Sequence, residues 1–330
     1  MFRLNLFPRF ILFVVFIISL AGCTYPETTP IAQWRHVDDG AYAADISTDG
    51  TLAVVSGVSN GIKVWRIGEA EPLFNWSHQG GSDNTVGSIH ISADNQYVIT
   101  ADREAFALWS LETGEPEGFW RIDEASIRDV AVSNNGNGVL VARSNGHVMY
   151  FEPRTERRLE FLGHQEKVNS IDLSPNGKFA LTGGNDYIAY LWSTDTGQII
   201  HTFTHPTRVT KVVLDDLGRF AFTADSQRKS QIWDVQTGEP VSSLKYISRQ
   251  KMFTDAVFSE DGKYLLTGSP ARQVYLWDIQ TGMQQQSWQV AARESSTPPT
   301  AVVYGVGFNS DGNIVTESSS GLAEVWQKDE

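Results

Sequence analysis

Seven times between residues 44 and 330 the chain repeats one phrase: an alternating apolar run, a Gly or Asp turn, a second run, and a third run ending on an aromatic. The closing aromatics are Trp65, Trp109, Phe151, Trp192, Trp233, Trp277 and Trp326, at intervals of 44, 42, 41, 41, 44 and 49. Turn residues keep a second ruler, Gly50, Asn95, Gly136, Gly177, Gly218, Gly262 and Gly312, at intervals of 45, 41, 41, 41, 44 and 50. Strand-built periods of about 40–45 residues are the length of one propeller blade. The two rulers predict an all-β, seven-bladed β-propeller.

A third ruler tells how the ring closes. Apolar residues of the outer strands fall at Trp34, Trp76, Trp120, Leu162, Phe203, Leu244 and Trp288, and the next would lie near 330. The last blade therefore draws only three strands from the C-terminal end, and Ala32 to His36 must supply its fourth. Such a clasp leaves no unpaired edge at the junction.

The first 23 residues are of another kind. Arg3 and Arg9 are their only charges, and Phe10 to Leu20 is apolar apart from Ser19. That core is too short for a permanent membrane span and reads as an export signal. Leu20-Ala21-Gly22-Cys23 resembles the lipobox of bacterial lipoproteins, a family in which the Cys is acylated and the signal cut away before it. Cys23 is the only cysteine in 330 residues, so lipidation also accounts for a solitary thiol in an exported chain. Several acyl chains exceed the single chain that binds a membrane only marginally.

Thr24 follows the Cys where the enterobacterial sorting pattern uses Asp to retain a lipoprotein in the inner membrane. The resemblance implies the periplasmic face of the outer membrane. The organisation expected is a signal peptide at 1–22, a lipidated Cys and tether at 23–30 spanning at most about 25 Å, and the propeller at 31–330. Removing the signal subtracts two arginines and no acid, leaving 24 basic and 39 acidic residues, a net of −15. That charge and compartment argue against nucleic acid.

The cleanest repeat is the fourth. Val168, Ile171 and Leu173 mark an inner strand, Ser174-Pro175-Asn176-Gly177 a turn, Phe179 to Thr182 the second strand, Ile188 to Trp192 the third and Ile199 to Phe203 the outer. It resembles the WD-repeat family: His164 in the Gly-His position, Thr182 in the Ser/Thr position, Asp186 six before the tryptophan, and Trp192 at the Trp of Trp-Asp. The resemblance implies a relay inside the blade, from indole to hydroxyl to imidazole to carboxylate, which rigidifies a sheet when fully satisfied. Elsewhere Ser59, Arg103, Asn145, Gln227, Ala271 and Ser320 replace that aspartate, so most blades are expected to cohere by packing alone.

No string of catalytic residues has the context it needs. Ser248-Arg249-Gln250-Lys251 matches the Ser-x-x-Lys of penicillin-interacting enzymes but lies in a loop, and Gly57-Val58-Ser59-Asn60-Gly61 matches a nucleophile elbow but joins two strands. His36, His78, His164 and His205 share one phase of the repeat in different blades, which is poor metal geometry. Asp45 and Asp49-Gly50 read as the turn every blade repeats, not as calcium ligands. Neither a cofactor nor a metal is expected.

What remains is surface. The loops between second and third strands and between outer and inner strands converge on one face. Those of blades five to seven carry Arg228, Lys229, Arg249, Lys251, Arg272 and Arg293, and the longest insertion, Ala291 to Thr300, rises beside them. The expectation is a monomeric, membrane-anchored scaffold for protein partners without catalysis. The rivals are a hydrolase or lyase with its site in the central funnel, and an accessory lipoprotein of an outer-membrane assembly machinery.

Lipidation is the most direct consequence to test. Cys23→Ser should block acylation and processing, so the protein should keep its signal and leave the outer-membrane fraction. Unchanged mass and fractionation would rule the lipobox out.

Overall fold

The computed structural model describes residues 29–59, 61–78, 85–246, 251–294 and 296–329. Cys23, the signal and all but the end of the tether lie outside the described residues. Among those described, the chain forms seven four-stranded antiparallel sheets and no α-helix. They are the blades of a propeller. Blade one comprises Ala41–Ile46, Leu52–Gly57, Ile62–Arg66 and Phe74–Trp76 from axis to rim. Blade four comprises Val168–Leu173, Phe179–Gly184, Ile188–Ser193 and Ile199–Thr204.

Each ruler has a physical cause. All seven turn residues of the second ruler have positive φ, from 56° at Asn95 to 77° at Gly312, a region that glycine enters without a Cβ penalty and asparagine tolerates. Asn95 adds a use for its side chain: its Oδ1 accepts the Thr48 N–H of the neighbouring blade at 3.1 Å. The closing aromatics are all buried, with Trp233 the most exposed at 8%.

The third ruler slips by one residue in blade three. Leu162 is 64% exposed, whereas Phe161 is buried and pairs with Val148. Phe161 stacks flat on Trp192 of blade four at 4.4 Å. That contact holds it inside.

Packing follows from having apolar residues on both faces of a sheet. Val54, Ile62, Val64 and Trp76 of blade one interleave with Val98, Ala107 and Trp109 of blade two, and the same layer recurs between later blades. The core is thus a ring of inter-blade sandwiches. Each buried Trp or Phe contributes several kcal/mol by about 25 cal/mol per Å² of apolar area.

At the axis the inner strands expose the edges of their sheets, and in blades two, three, four, five and seven side chains of the preceding blade cap them. Asp45 of blade one accepts the Ile91 N–H of blade two at 2.7 Å. Asp129 accepts Ile171 N–H at 3.0 Å, Asp172 accepts Leu214 N–H at 2.6 Å, and Asp255 accepts Val306 N–H at 2.9 Å. Ser88, Ser170 and His90 do the same for Val130, Val212 and Val132. Asp45 therefore lies within a strand as an inter-blade staple and not in the turn expected for it. Asp49 does sit in the turn, where its Oδ1 accepts the Ser47 hydroxyl and Thr51 N–H.

The ring closes by the clasp. Ala32–Arg35 pairs antiparallel with Leu322–Trp326, Trp34 opposite Ala323, and completes blade seven. Beside it the apolar contact to blade one is built on Ile46, Val315, Val325 and Trp34 and on Val37, Ala41, Ala44, Ala53, Val55 and Trp65. His36 lies flat on Trp65 at 4.7 Å and contacts Glu317. Glu324 accepts Gln33 Nε2–H and Ala291 N–H, each at 3.0 Å.

Burial, aided by the nearby Glu317, pushes the Glu324 pKa up to about 7, against those two hydrogen bonds. The folded state holds this proton more tightly than the unfolded chain does. Stability from this group is complete below the ordinary carboxylate range and is lost as pH rises through about 7. Glu324→Gln cannot ionise, so relative to the parent it should gain on the order of 2 kcal/mol between about pH 5 and about pH 8. Urea midpoints at the two pH values measure this, and a gap independent of pH would refute it.

Candidate functional site

The structure places the relay in blade four with one step missing. His164 Nδ1 meets Asp186 Oδ2 at 2.9 Å and its Nε2 meets Thr182 Oγ1 at 2.9 Å. Trp192 Nε1 is buried without a hydrogen-bond partner. Two blades that depart from the pattern carry the indole step. In blade two, Trp109 Nε1–H donates to Thr100 Oγ1 at 2.8 Å, Thr100 meets His78 Nε2 at 2.7 Å, and His78 Nδ1 lies 3.4 Å from Asp102. In blade five, Trp233 donates to Thr223 at 2.8 Å and Thr223 meets His205 at 2.9 Å, while His205 Nδ1 stays 3.8 Å from Asp225 without a hydrogen bond.

Since the indole can only donate and a carboxylate only accept, the hydroxyl proton points to Nε2 and the imidazole proton to the acid. The carboxylates are Asp102, seven before its tryptophan, and Asp225, eight before. Counting six residues back misses both. The expectation that the departing blades rely on packing alone is corrected to this extent. Burial pushes the His78 pKa down and takes that of His205 to about 4, the latter aided by Lys229.

The basic arc of blades five to seven is largely spent on the fold. Lys229 Nζ donates to Thr204 O at 2.5 Å and lies over Trp233. Lys251 Nζ sits 3.4 Å from the Tyr275 ring centroid and 4.7 Å from that of Trp277, and desolvation lowers its pKa to about 8. Arg272 Nε donates to Val290 O at 2.9 Å, and Arg293 Nη2 to Asp39 O at 2.8 Å. Arg228 is exposed, and Arg249 lies outside the described residues, as do Ser248 and Gln250. The insertion folds over the clasp, where Glu294 pairs with Arg35 at 2.5 Å. Its described residues brace the ring closure.

The same face carries its open cavity on blades one to three. A groove of about 710 Å³ is lined by Tyr42 and Val58 of blade one, Thr85, Gly87 and Ser88 at the start of blade two, Asp102, Arg103 and Glu104 in its second loop, and Ile127 and Arg128 of blade three. Tyr42 and Val58 are 53% and 44% exposed. Glu104 pairs with Arg121 at 3.1 Å, and Asp102 accepts the Glu104 and Ala105 N–H groups. Arg103 and Arg128 are exposed and, among the described residues, make no side-chain ion pair or hydrogen bond. Sequence reasoning passed over both. The available signal was Arg103 standing where the repeat expects an acid.

The funnel is tighter. Asp45, His90, Asp172, Lys211 and Asp255 line a cavity of about 110 Å³ on the axis. Burial raises the Asp45 pKa to about 6 and also raises that of Asp129. For His90 burial opposes the charge, but Asp172, Asp45 and Asp129 outweigh it and raise the pKa. Among the described residues no three His, Cys, Asp or Glu side chains are grouped to hold a metal.

With this geometry in view, the WD domain, G-beta repeat family matches residues 155–193 and 238–278. The matched stretches run from the outer strand of blade three through three strands of blade four, and from the outer strand of blade five through three strands of blade six. Polyadenylation factor subunit 2 of Cryptococcus neoformans is 28% identical over 106 residues, 32% of this chain and 15% of that protein. WD repeat-containing protein AAC3 of Dictyostelium discoideum is 24% identical over 151 residues, 44% of this chain and 31% of its own. Meiotic recombination protein rec14 of Schizosaccharomyces pombe is 25% identical over 174 residues, half of this chain and 57% of its own. The chain thus spans well under two thirds of these relatives' length.

The relay geometry orders three substitutions. Thr100→Val and Thr223→Val each strand a buried indole N–H and a buried imidazole, and each should cost on the order of 2 kcal/mol. Thr182→Val strands only the imidazole and should cost about half as much. Chemical denaturation of the three variants checks the order, and equal losses would contradict the missing step in blade four.

Proposed function

We propose that this protein is a non-catalytic scaffold that docks protein partners in the loop-face groove of blades one to three and is held at a membrane through lipid on Cys23. The observation that carries the docking is the groove itself: two exposed guanidiniums without counterions among the described residues, beside an exposed Tyr42 and Val58. Rigid sheets hold these side chains on short loops, and exposed aromatics and arginines are the residue types that dominate binding energy at interfaces. The WD-repeat likeness agrees with a scaffold role. Support for the anchor is the Leu-Ala-Gly-Cys string and the solitary thiol, and the Thr24 position favours the periplasmic face of the outer membrane.

A catalytic funnel has in its favour the raised pKa values of Asp45, beside His90, and of Asp216, which burial takes to about 6. Against it stands the bonding of the first pair: the Asp45 carboxylate is taken by Ile46 and Ile91 N–H, and His90 by Val132 N–H and Asp172. The space left between them is too small for a substrate of the usual pocket size of about 300–1,000 Å³.

A photo-crosslinking residue at Val58 or at Arg103 should capture the same partner in intact cells, and one at Glu115, in a turn on the opposite face, should not. Reversing Arg103 and Arg128 to Glu should reduce the capture at Val58 about tenfold. Equal capture from Glu115 would move the docking surface elsewhere.

A further inference from the structure

We infer that the groove selects a short acidic peptide segment, with carboxylates between Arg103 and Arg128 and an apolar side chain against Tyr42 and Val58. This rests on the docking reading above. The two arginines are fixed as neighbours by the main chain, because Ile127 N–H donates to Arg103 O at 2.8 Å and Arg128 follows directly. They bridge the boundary of blades two and three. A guanidinium offers five donors in a planar fork, and a carboxylate matches that fork with two parallel hydrogen bonds.

The charge available to a ligand differs from the charge counted. Arg121 takes Glu104, while two backbone N–H groups and the His78 ring take Asp102. Among the described residues both acids of the groove are thereby spoken for, and both of its cations are open. Only anionic groups complete this set.

Size and surroundings narrow the anion. A cavity of about 710 Å³ holds a few side chains, not a domain. The whole chain carries a net charge of −13, so a long polyanion that meets the groove must also lie against a repelling surface. A segment with a few carboxylates and one apolar anchor avoids that repulsion. Tyr42 suits the anchor, since its ring is half exposed at the inner end of the groove and Val58 extends the apolar wall.

Three fluorescein-labelled peptides of one length, each with a single central Phe, provide the probe: one of Glu and Asp, its Gln and Asn isostere, and a Lys version, with an oligothymidine as the polyanion. Anisotropy titration should show the acidic peptide binding the parent at least about tenfold more tightly than the other three. Arg103→Gln with Arg128→Gln should erase that preference, Tyr42→Ala should weaken binding about tenfold, and Lys178→Gln on the opposite face should leave it unchanged. Melting curves confirm that each variant is folded. If the isostere binds as tightly as the acidic peptide and Tyr42→Ala abolishes both, the acidic preference is overturned while the docking groove stands. Tighter binding of oligothymidine also overturns it. If the acidic peptide binds but no groove substitution changes its affinity, the docking reading fails as well.

Discussion

A ring of sheets must satisfy the backbone at every edge, and the inner edge is the one on which the rest of this structure depends. An inner strand has a paired neighbour on one side and the axis on the other. Its outward N–H groups would cost free energy if buried without partners. Here the preceding blade supplies the acceptor, a carboxylate at Asp45, Asp129, Asp172 and Asp255 and a hydroxyl or imidazole between them. Each staple joins two blades at fixed rotation. Burial in this structural task raises the pKa values of Asp45 and Asp129, and the carboxylates around His90 raise its own.

The same requirement explains the clasp. Without Ala32–Arg35 the third strand of blade seven would be an open edge, and the polar contacts of Gln33 and His36 would be lost with it. The seam between blades seven and one packs Ile46, Val315, Val325 and Trp34 beside the alanines of blade one, and the buried His36 and Glu317 meet there. The insertion after blade six lies across it, so the longest loop of the active-looking face serves closure.

Function is left to the surface that this bonding does not consume. On blades five to seven Lys229, Lys251, Arg272 and Arg293 are drawn into aromatic rings and main-chain carbonyls. On blades one to three Arg103 and Arg128 are not. A cation already paired or desolvated has little to offer a ligand, whereas an exposed one with no partner keeps its full donor set. This difference is why the docking site is proposed on blades one to three of the same face.

The sequence by itself determined the blade number, the strand order, the positive-φ turns and the closing strand, because each follows from local rules repeated at one period: alternation for a strand, glycine or asparagine for the turn, an aromatic for the buried third strand. It also marked His164, Thr182 and Asp186 as a bonded set. Tertiary structure decided what spacing alone does not carry. Asp102 reaches His78, and Asp225 comes to 3.8 Å of His205, although they sit one and two residues off the expected register, because loop length changes while the position of the imidazole does not. Phe161 replaced Leu162 inside because stacking on Trp192 outweighs the period. And the number of charges on a loop could be counted from the chain, but whether each was free depended on carbonyls, rings and acids brought from other blades.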